Sequence, residues 1–306
     1  MIVNLESTTT SKIEKTLQEL REDGGVVALG RVLTLIIETN SEHLERAIEA
    51  ANGASRLHPS RIIVLVSNLE QGDKASRLDA EIRIGGDAGA SEVVVIRAFG
   101  DANSNTESTV TGLLLPDAPV VAWWPADCKI NPSKNPIGEI ATRRITDAAS
   151  QKDELGFLKE LAKNYSPGDS DMSWTRITLW RSQLAALFDN EKNRAVTEIR
   201  VLGSKNSPSV RLLAGWLSMQ LGVDTKIIHE LSGIAIEGIA GVEISFDHGE
   251  LAIIRTGDVA SIGQTGSPDS SALLPKRSDQ DCLMEDMRFL GEDEVYGAVL
   301  RNELAR

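Results

Sequence analysis

The chain has 306 residues, 41% of them hydrophobic and 25% charged, a balance that excludes wholesale disorder and leaves ample length for a buried core. Its formal net charge of −13 argues against an electrostatic grip on nucleic acid or on an anionic membrane surface, since both need a basic face. The only cysteines, Cys128 and Cys282, make no disulfide framework and fit no zinc spacing.

No apolar run reaches the ~18 residues of a bilayer span, and the first six residues lack the pattern of a secretory leader. A reducing, cytoplasmic setting is therefore expected.

In chain order, Ile13, Leu17 and Leu20 recur at helical spacing and predict a helix over residues 10–22. Residues 26–38, rich in Val, Leu and Ile, predict a buried strand. Leu44, Ala47, Ile48 and Ala51 mark a second helix behind a possible cap at Asn40-Ser41. Residues 62–66 are continuously apolar, as in a strand covered on both faces. Residues 78–84 alternate, Gly85-Gly86 reads as a turn, and 92–99 form the next strand, so these two strands are expected to pair as an antiparallel hairpin. A helix over 103–115 ends before Pro116. The strand 120–124 is cut off by Pro125, and a Pro- and Asn-containing loop spans 129–136. A short strand at 143–147 and a helix over 154–163 follow. This alternation predicts βαβ units and a mixed, mostly parallel sheet.

Residues 165–171 are polar and turn-rich, and they predict a linker between an N-terminal α/β domain, 1–165, and a C-terminal α/β domain, 166–306. Beyond it, Ile177, Trp180, Leu184 and Leu187 share one helical stripe. Residues 195–202 read as a strand. Ser207-Pro208 gives a cap and a proline at the first helical position, and Gly222 closes that helix. From residue 234 to 262 the period becomes two, which predicts antiparallel hairpin strands around the turn Asp247-His248-Gly249. A polar loop over 263–271 and helices near 278–289 and 292–304 complete the chain.

Familiar catalytic patterns are missing: no nucleophile elbow, no His-Glu-x-x-His, no Walker A loop, no close His/Cys cluster. Gly85-Gly86-Asp87-Ala88-Gly89 looks like a nucleotide fingerprint but precedes a strand where that motif needs a helix. No cofactor or metal is expected.

Four segments carry candidate chemistry. His58 and Arg61 can reach an anion together; the plainer reading gives Arg61 a structural ion pair. Trp123 and Trp124 are adjacent in a strand and must point to opposite faces, so one fills the core while the other meets a partner or, more simply, a helix of the same chain. Arg143 and Arg144 form a local positive spot suited to phosphate or an acidic partner, unless nearby Asp147 or Glu139 neutralises them. Ser204 and Lys205 sit in a loop leading into a helix N-terminus, a place receptive to anions. Neither cysteine has a neighbourhood that activates it as a nucleophile.

Taken in order, His58-Pro59-Ser60-Arg61-Ile62-Ile63, Leu114-Leu115-Pro116-Asp117, Pro119-Val120-Val121-Ala122-Trp123-Trp124-Pro125, Arg143-Arg144-Ile145-Thr146-Asp147 and Asp171-Met172-Ser173-Trp174-Thr175-Arg176 form a recognisable series. The helix from Ser207-Pro208 through Leu212-Leu213-Ala214-Gly215-Trp216-Leu217 follows. The chain resembles the glucose-6-phosphate dehydrogenase assembly protein family, OpcA, of actinobacteria and cyanobacteria. The resemblance implies a non-enzymatic assembly factor that binds the dehydrogenase, acts as its allosteric activator, and so supports NADPH production in the oxidative pentose phosphate pathway. In cyanobacterial relatives cysteines link the activation to thioredoxin; Cys128 and Cys282 map onto no such pair. With that partner in view, Trp123, Trp124, Trp174 and Arg176 are the expected contact residues, and His58, Arg61, Arg143, Arg144, Ser204 and Lys205 the possible anion-binding ones. A sugar-phosphate- or nucleotide-binding enzyme or metabolite sensor is the alternative, and a purely structural scaffold a third.

Overall fold

A computed structural model describes residues 1–23, 31–67, 76–84, 92–128, 131–188 and 194–304. The start of the strand expected at 26–38, the turn at Gly85-Gly86 with the fingerprint-like residues beside it, and the first two residues of the 129–136 loop lie outside the described residues. The chain forms two compact units. The first contains residues 1–150, 168–170 and 279–292, and the second 151–167, 171–278 and 293–306. Neither is a continuous stretch, and downstream segments complete the first.

The elements of the first unit begin with β1 (Ile2–Leu5), α1 (Thr10–Asp23), β2 (Leu33–Asn40), α2 (Leu44–Ala54) and β3 (Ser60–Ser67). Then come β4 (Arg77–Ile84), β5 (Glu92–Phe99), α3 (Thr106–Thr111), β6 (Val120–Trp124), α4 (Pro136–Glu139) and β7 (Arg143–Thr146). The helix expected at 103–115 is shorter than its pattern, a 3-10 turn over Gly100–Asn105 leading into α3. The second unit supplies α5 (Glu154–Asn164) before the chain returns as β8 (Asp169–Asp171).

These strands form a mixed eight-stranded sheet in the order β1-β4-β5-β3-β2-β6-β7-β8. The central pairs β5·β3, β3·β2, β2·β6 and β6·β7 are parallel, and β4 returns antiparallel on β5 as expected. The apolar runs of β2, β3 and β5 are buried because both faces are covered. One face carries Ile13 and Leu17 of α1 over Ile36, Ile63, Val94 and Trp124. On α2, Leu44, Ala47, Ile48 and Ala51 are buried, and the helix packs on β2 and β3 and against α9 (Asp279–Arg288), a helix from far along the chain.

The stretch 165–171 is more than the expected linker. Its last three residues are β8, and Arg144 N–H donates to Gly168 O at 2.9 Å beside the sheet. Asp-Ser-Asp carries no apolar pattern, so only tertiary structure reveals the strand.

The second unit continues with α6 (Met172–Thr175), α7 (Thr178–Phe188), β9 (Val196–Gly203) and α8 (Pro208–Leu221). Strands β10 (Thr225–Ile228), β11 (Glu230–Leu231), β12 (Ile234–Ala235), β13 (Ile239–Phe246), β14 (Glu250–Thr256), β15 (Val259–Gln264) and β16 (Ser270–Leu273) follow, and α10 (Glu294–Val299) comes after α9. The six-stranded sheet runs β10-β9-β13-β14-β15-β16, with β10 parallel to β9 and the remaining pairs antiparallel. The alternation read at Val242, Ile244 and Phe246 puts those side chains inside. The loop expected over 263–271 is shorter, because β15 reaches Gln264 and β16 begins at Ser270. Helix α8 packs on β9 and β10. Its start follows the predicted chemistry, with Ser207 Oγ accepting from Val210 N–H and Pro208 in the first turn. Gly222, at φ +68°, ends it in the left-handed conformation that favours glycine.

Candidate functional site

The candidate residues fall into separate places, and each is best understood from the element that holds it. In β6, Trp123 and Trp124 alternate across the sheet, and both are buried. Trp124 joins the α1-side core, and its Nε1–H donates to Glu38 Oε2 at 2.7 Å. Asn135 Nδ2 donates to the same oxygen at 3.3 Å, while its Oδ1 accepts from Ile137 N–H at 2.9 Å to cap α4. Trp123 lies on the opposite face. Neither ring is offered to the outside, so the plainer of the two readings describes their positions: the chain covers both faces itself.

Trp174 is buried as well. Asp171 caps α6 by accepting from Ser173 N–H at 2.8 Å, which fixes the turn that carries Trp174. The indole Nε1–H donates to Asp293 Oδ2 at 2.8 Å, and Asp293 Oδ1 also caps α10 through Tyr296 N–H. The Tyr296 ring packs against the indole at 5.5 Å between centroids, and the Arg181 guanidinium stacks 3.7 Å from its centre. Ser209 Oγ and Arg277 Nη1 donate to the Ser173 and Thr175 carbonyls. The segment from Asp171 to Arg176 is thus a hub of the second unit. Arg176 is half-buried at the end of α6, its N–H bonded to Met172 O.

The arginines read as possible anion ligands are spent internally. Arg61 is buried; its Nη1 donates to Leu113 O at 2.6 Å and to Glu14 Oε2 at 3.0 Å. The buried Glu92 draws in Arg21 and, at 2.7 Å, Arg31. Burial holds the Arg31 guanidinium below its ordinary value, with Glu92 pulling the other way. Arg143 and Arg144 are buried too, and each meets a carboxylate from distant sequence. Arg143 Nη2 donates to Asp286 Oδ1 at 2.7 Å and Nη1 to Gly291 O at 2.9 Å, while Ser170 Oγ donates to the same Asp286 oxygen. Arg144 Nε donates to Asp169, and its Nη1 to Ala141 O at 3.1 Å. The topology explains this: β7 lies beside β8 and near α9, which brings carboxylates from distant sequence to both guanidiniums.

His58 is half-buried in the turn before β3 and makes no hydrogen bond or ion pair among the described residues. Ser204 Oγ donates to Ile236 O at 2.9 Å and accepts from Gly238 N–H at 2.6 Å, so its hydroxyl ties two loops together; Lys205 is exposed beside it. Cys128 is partly exposed and Cys282 buried, and neither is in a disulfide. Among the described residues, no group of His, Cys, Asp or Glu side chains is placed to hold a metal ion. No described helix is long and apolar enough to cross a membrane.

Sequence reasoning missed the residues that organise these places: Glu38, Glu92, Asp169, Asp286 and Asp293. Only Asp293 had a local signal, an acidic residue three positions before Tyr296 at a helix start.

What these units define is a two-part α/β protein in which the arginine and tryptophan motifs brace the interior. Residues 51–163 match the N-terminal domain, and residues 167–300 the C-terminal domain, of the family described as a glucose-6-phosphate dehydrogenase subunit. The chain therefore belongs to the OpcA family of glucose-6-phosphate dehydrogenase assembly proteins, and this membership implies association with that dehydrogenase.

No curated protein matches the chain significantly. Among solved structures, UDP-N-acetylglucosamine 3-dehydrogenase GnnA from Acidithiobacillus ferrooxidans is 9% identical and superposes over 88% of this chain and 95% of its own, with a TM-score of 0.42. An oxidoreductase from Thermotoga maritima is 12% identical over 90% of this chain and 95% of its own, with a TM-score of 0.41. Nothing about activity follows from either likeness.

Proposed function

We propose that the protein is a non-enzymatic assembly factor and allosteric activator of glucose-6-phosphate dehydrogenase, acting in the cytoplasm to raise NADPH output from the oxidative pentose phosphate pathway. The observation that carries this reading is the match of both halves to domains of the dehydrogenase-assembly family. It is supported by the use of the candidate anion-binding arginines as internal struts, with Arg61, Arg143 and Arg144 each closed by a carboxylate of the same chain.

An activator works by binding the active form of its target more tightly than the inactive one. A tenfold shift of that equilibrium asks for about 1.4 kcal/mol of differential affinity, which one or two well-buried contacts supply. Mixing the purified chain with purified dehydrogenase is expected to raise its turnover and shift its oligomer size on a sizing column with light scattering. Unchanged turnover and size, with both partners folded, overturns the reading.

A further inference from the structure

Between β10 and β13 the chain makes a miniature hairpin. Glu230 pairs with Ala235 and Leu231 with Ile234. The connection is Ser232-Gly233, with φ of +53° and +81°, a two-residue turn of the kind that matches the twist of paired strands. Its base is pinned: Ile236 N–H donates to His229 O at 2.9 Å, the His229 ring meets Gly203 O at 3.2 Å, and Ser204 Oγ holds Ile236 O. The loop singled out in the sequence for anion binding thus anchors this finger.

The tip is the opposite of what a free edge needs. Exposed edges are ordinarily guarded by charge or proline, and two strands alone are marginal in water. Here the residues facing each other at the tip are Leu231, 51% exposed, and Ile234, 72% exposed. A Cβ added at Gly233 would meet only Glu230 Oε1, at 4.0 Å, so the turn stands clear of the other described residues. The finger leaves the sheet at the end where β15 starts and β16 stops. There Val259 pairs with Leu273, and these are 45% and 78% exposed. Leu231 and Ile234 on the finger, and Val259 and Leu273 on the six-stranded sheet, are therefore four large apolar side chains left exposed.

We propose that this hairpin is the surface that docks on glucose-6-phosphate dehydrogenase; the inference rests on the assembly role proposed above. Leu231 and Ile234 enter an apolar slot of the dehydrogenase, and the exposed Glu230 and Glu237 at the finger's flanks meet a basic rim. The same charges disfavour a second copy as occupant, because two acidic fingers on chains of net charge −13 would be brought face to face.

The test uses the full chain and the purified dehydrogenase. Leu231→Ser with Ile234→Ser is expected to weaken binding at least tenfold by calorimetry while leaving the melting midpoint of the chain unchanged. Leu57→Ser, at an equally exposed leucine of the first unit, is expected to bind like the parent. A photo-crosslinking phenylalanine analogue at position 234 is expected to capture the dehydrogenase, a readout that does not depend on weakened binding. Parent-like affinity of the double variant, or a complex that forms without cross-linking, overturns the docking surface and leaves the assembly role standing. Failure of the parent chain to bind overturns the assembly role and the inference with it. A self-associated parent whose association the double variant abolishes makes a second copy the occupant and also overturns the inference.

Discussion

Arg143 and Asp286 show how much a single buried pair carries. Both side chains are almost fully enclosed, and Asp286 also receives the Ser170 hydroxyl. Removing one partner strands an uncompensated charge, a loss of about 3–5 kcal/mol, whereas replacing both with apolar groups of similar volume is often tolerated. Asp286→Ala is therefore expected to lose about 3–5 kcal/mol in urea unfolding, and Arg143→Met with Asp286→Leu to recover much of it. A single variant that loses under about 1 kcal/mol would place the pair in solvent, where ion pairs contribute that little. The sequence showed the arginines and their need for a counter-charge. It could not show which one, because Asp286 lies 143 residues away and reaches Arg143 only through the docking of α9. Trp174 is the same lesson from the other side. Its segment is legible as a motif that suggests exposure at a partner surface, but its bond to Asp293, 119 residues on, makes it an internal post.

At the scale of elements, legibility follows pattern strength. Helices α1, α5 and α8 and the apolar strands β3, β5 and β6 are where the residues put them, whereas α2 starts at Leu44 behind His43 with no side-chain cap rather than from Asn40-Ser41, and β2 begins at Leu33 and runs on to Asn40. The elements that escaped are short and unpatterned: β1, β8, β10, β16 and the β11–β12 finger, whose Ser-Gly turn between Leu231 and Ile234 was the one available signal. Links between elements are also carried by long side chains. Arg83 on β4 holds Glu45 on α2 with hydrogen bonds of 2.8 and 2.7 Å and meets Glu81 at 2.6 Å. The bond to Arg83 keeps the Glu45 carboxyl below its ordinary value of 4.5, and Glu45 in turn raises the Arg83 guanidinium. A depressed carboxylate pKa stabilises the fold above the unfolded value and loses that contribution as pH falls through the folded one. Glu45 is largely exposed, so solvent screening limits the effect to under about 1 kcal/mol at neutral pH. Melting midpoints followed from pH 7 to pH 3 are expected to fall less steeply below pH 4.5 in Glu45→Gln than in the parent. Identical slopes would mean that the link is not formed in solution.

For the whole molecule, the α/β class and the contrast between a mostly parallel sheet and an antiparallel one were legible, because helix and strand periods alternate in the first half and strand periods cluster in the second. The interlacing was not. The first unit is completed by residues 168–170 and 279–292, so the boundary at 165/166 is crossed by the strand and the helix that neutralise Arg144 and Arg143. A fragment of residues 1–165 keeps both guanidiniums but lacks Asp169 and Asp286, and it exposes the side of α2 that α9 covers. The buried Arg143 without its carboxylate, at about 3–5 kcal/mol, together with the lost Arg144–Asp169 bond and the uncovered side of α2, approaches the ~5–15 kcal/mol that holds a whole domain together. The fragment is therefore expected to give a broad, non-cooperative thermal transition and to bind a hydrophobic dye, while the full chain melts sharply and binds none. Supplying a peptide of residues 279–292 should return part of the cooperativity, since it restores the Arg143 partner and the cover on α2 together. A fragment that melts as sharply as the full chain would show that the first unit does not depend on the helix it borrows from the far end of the sequence.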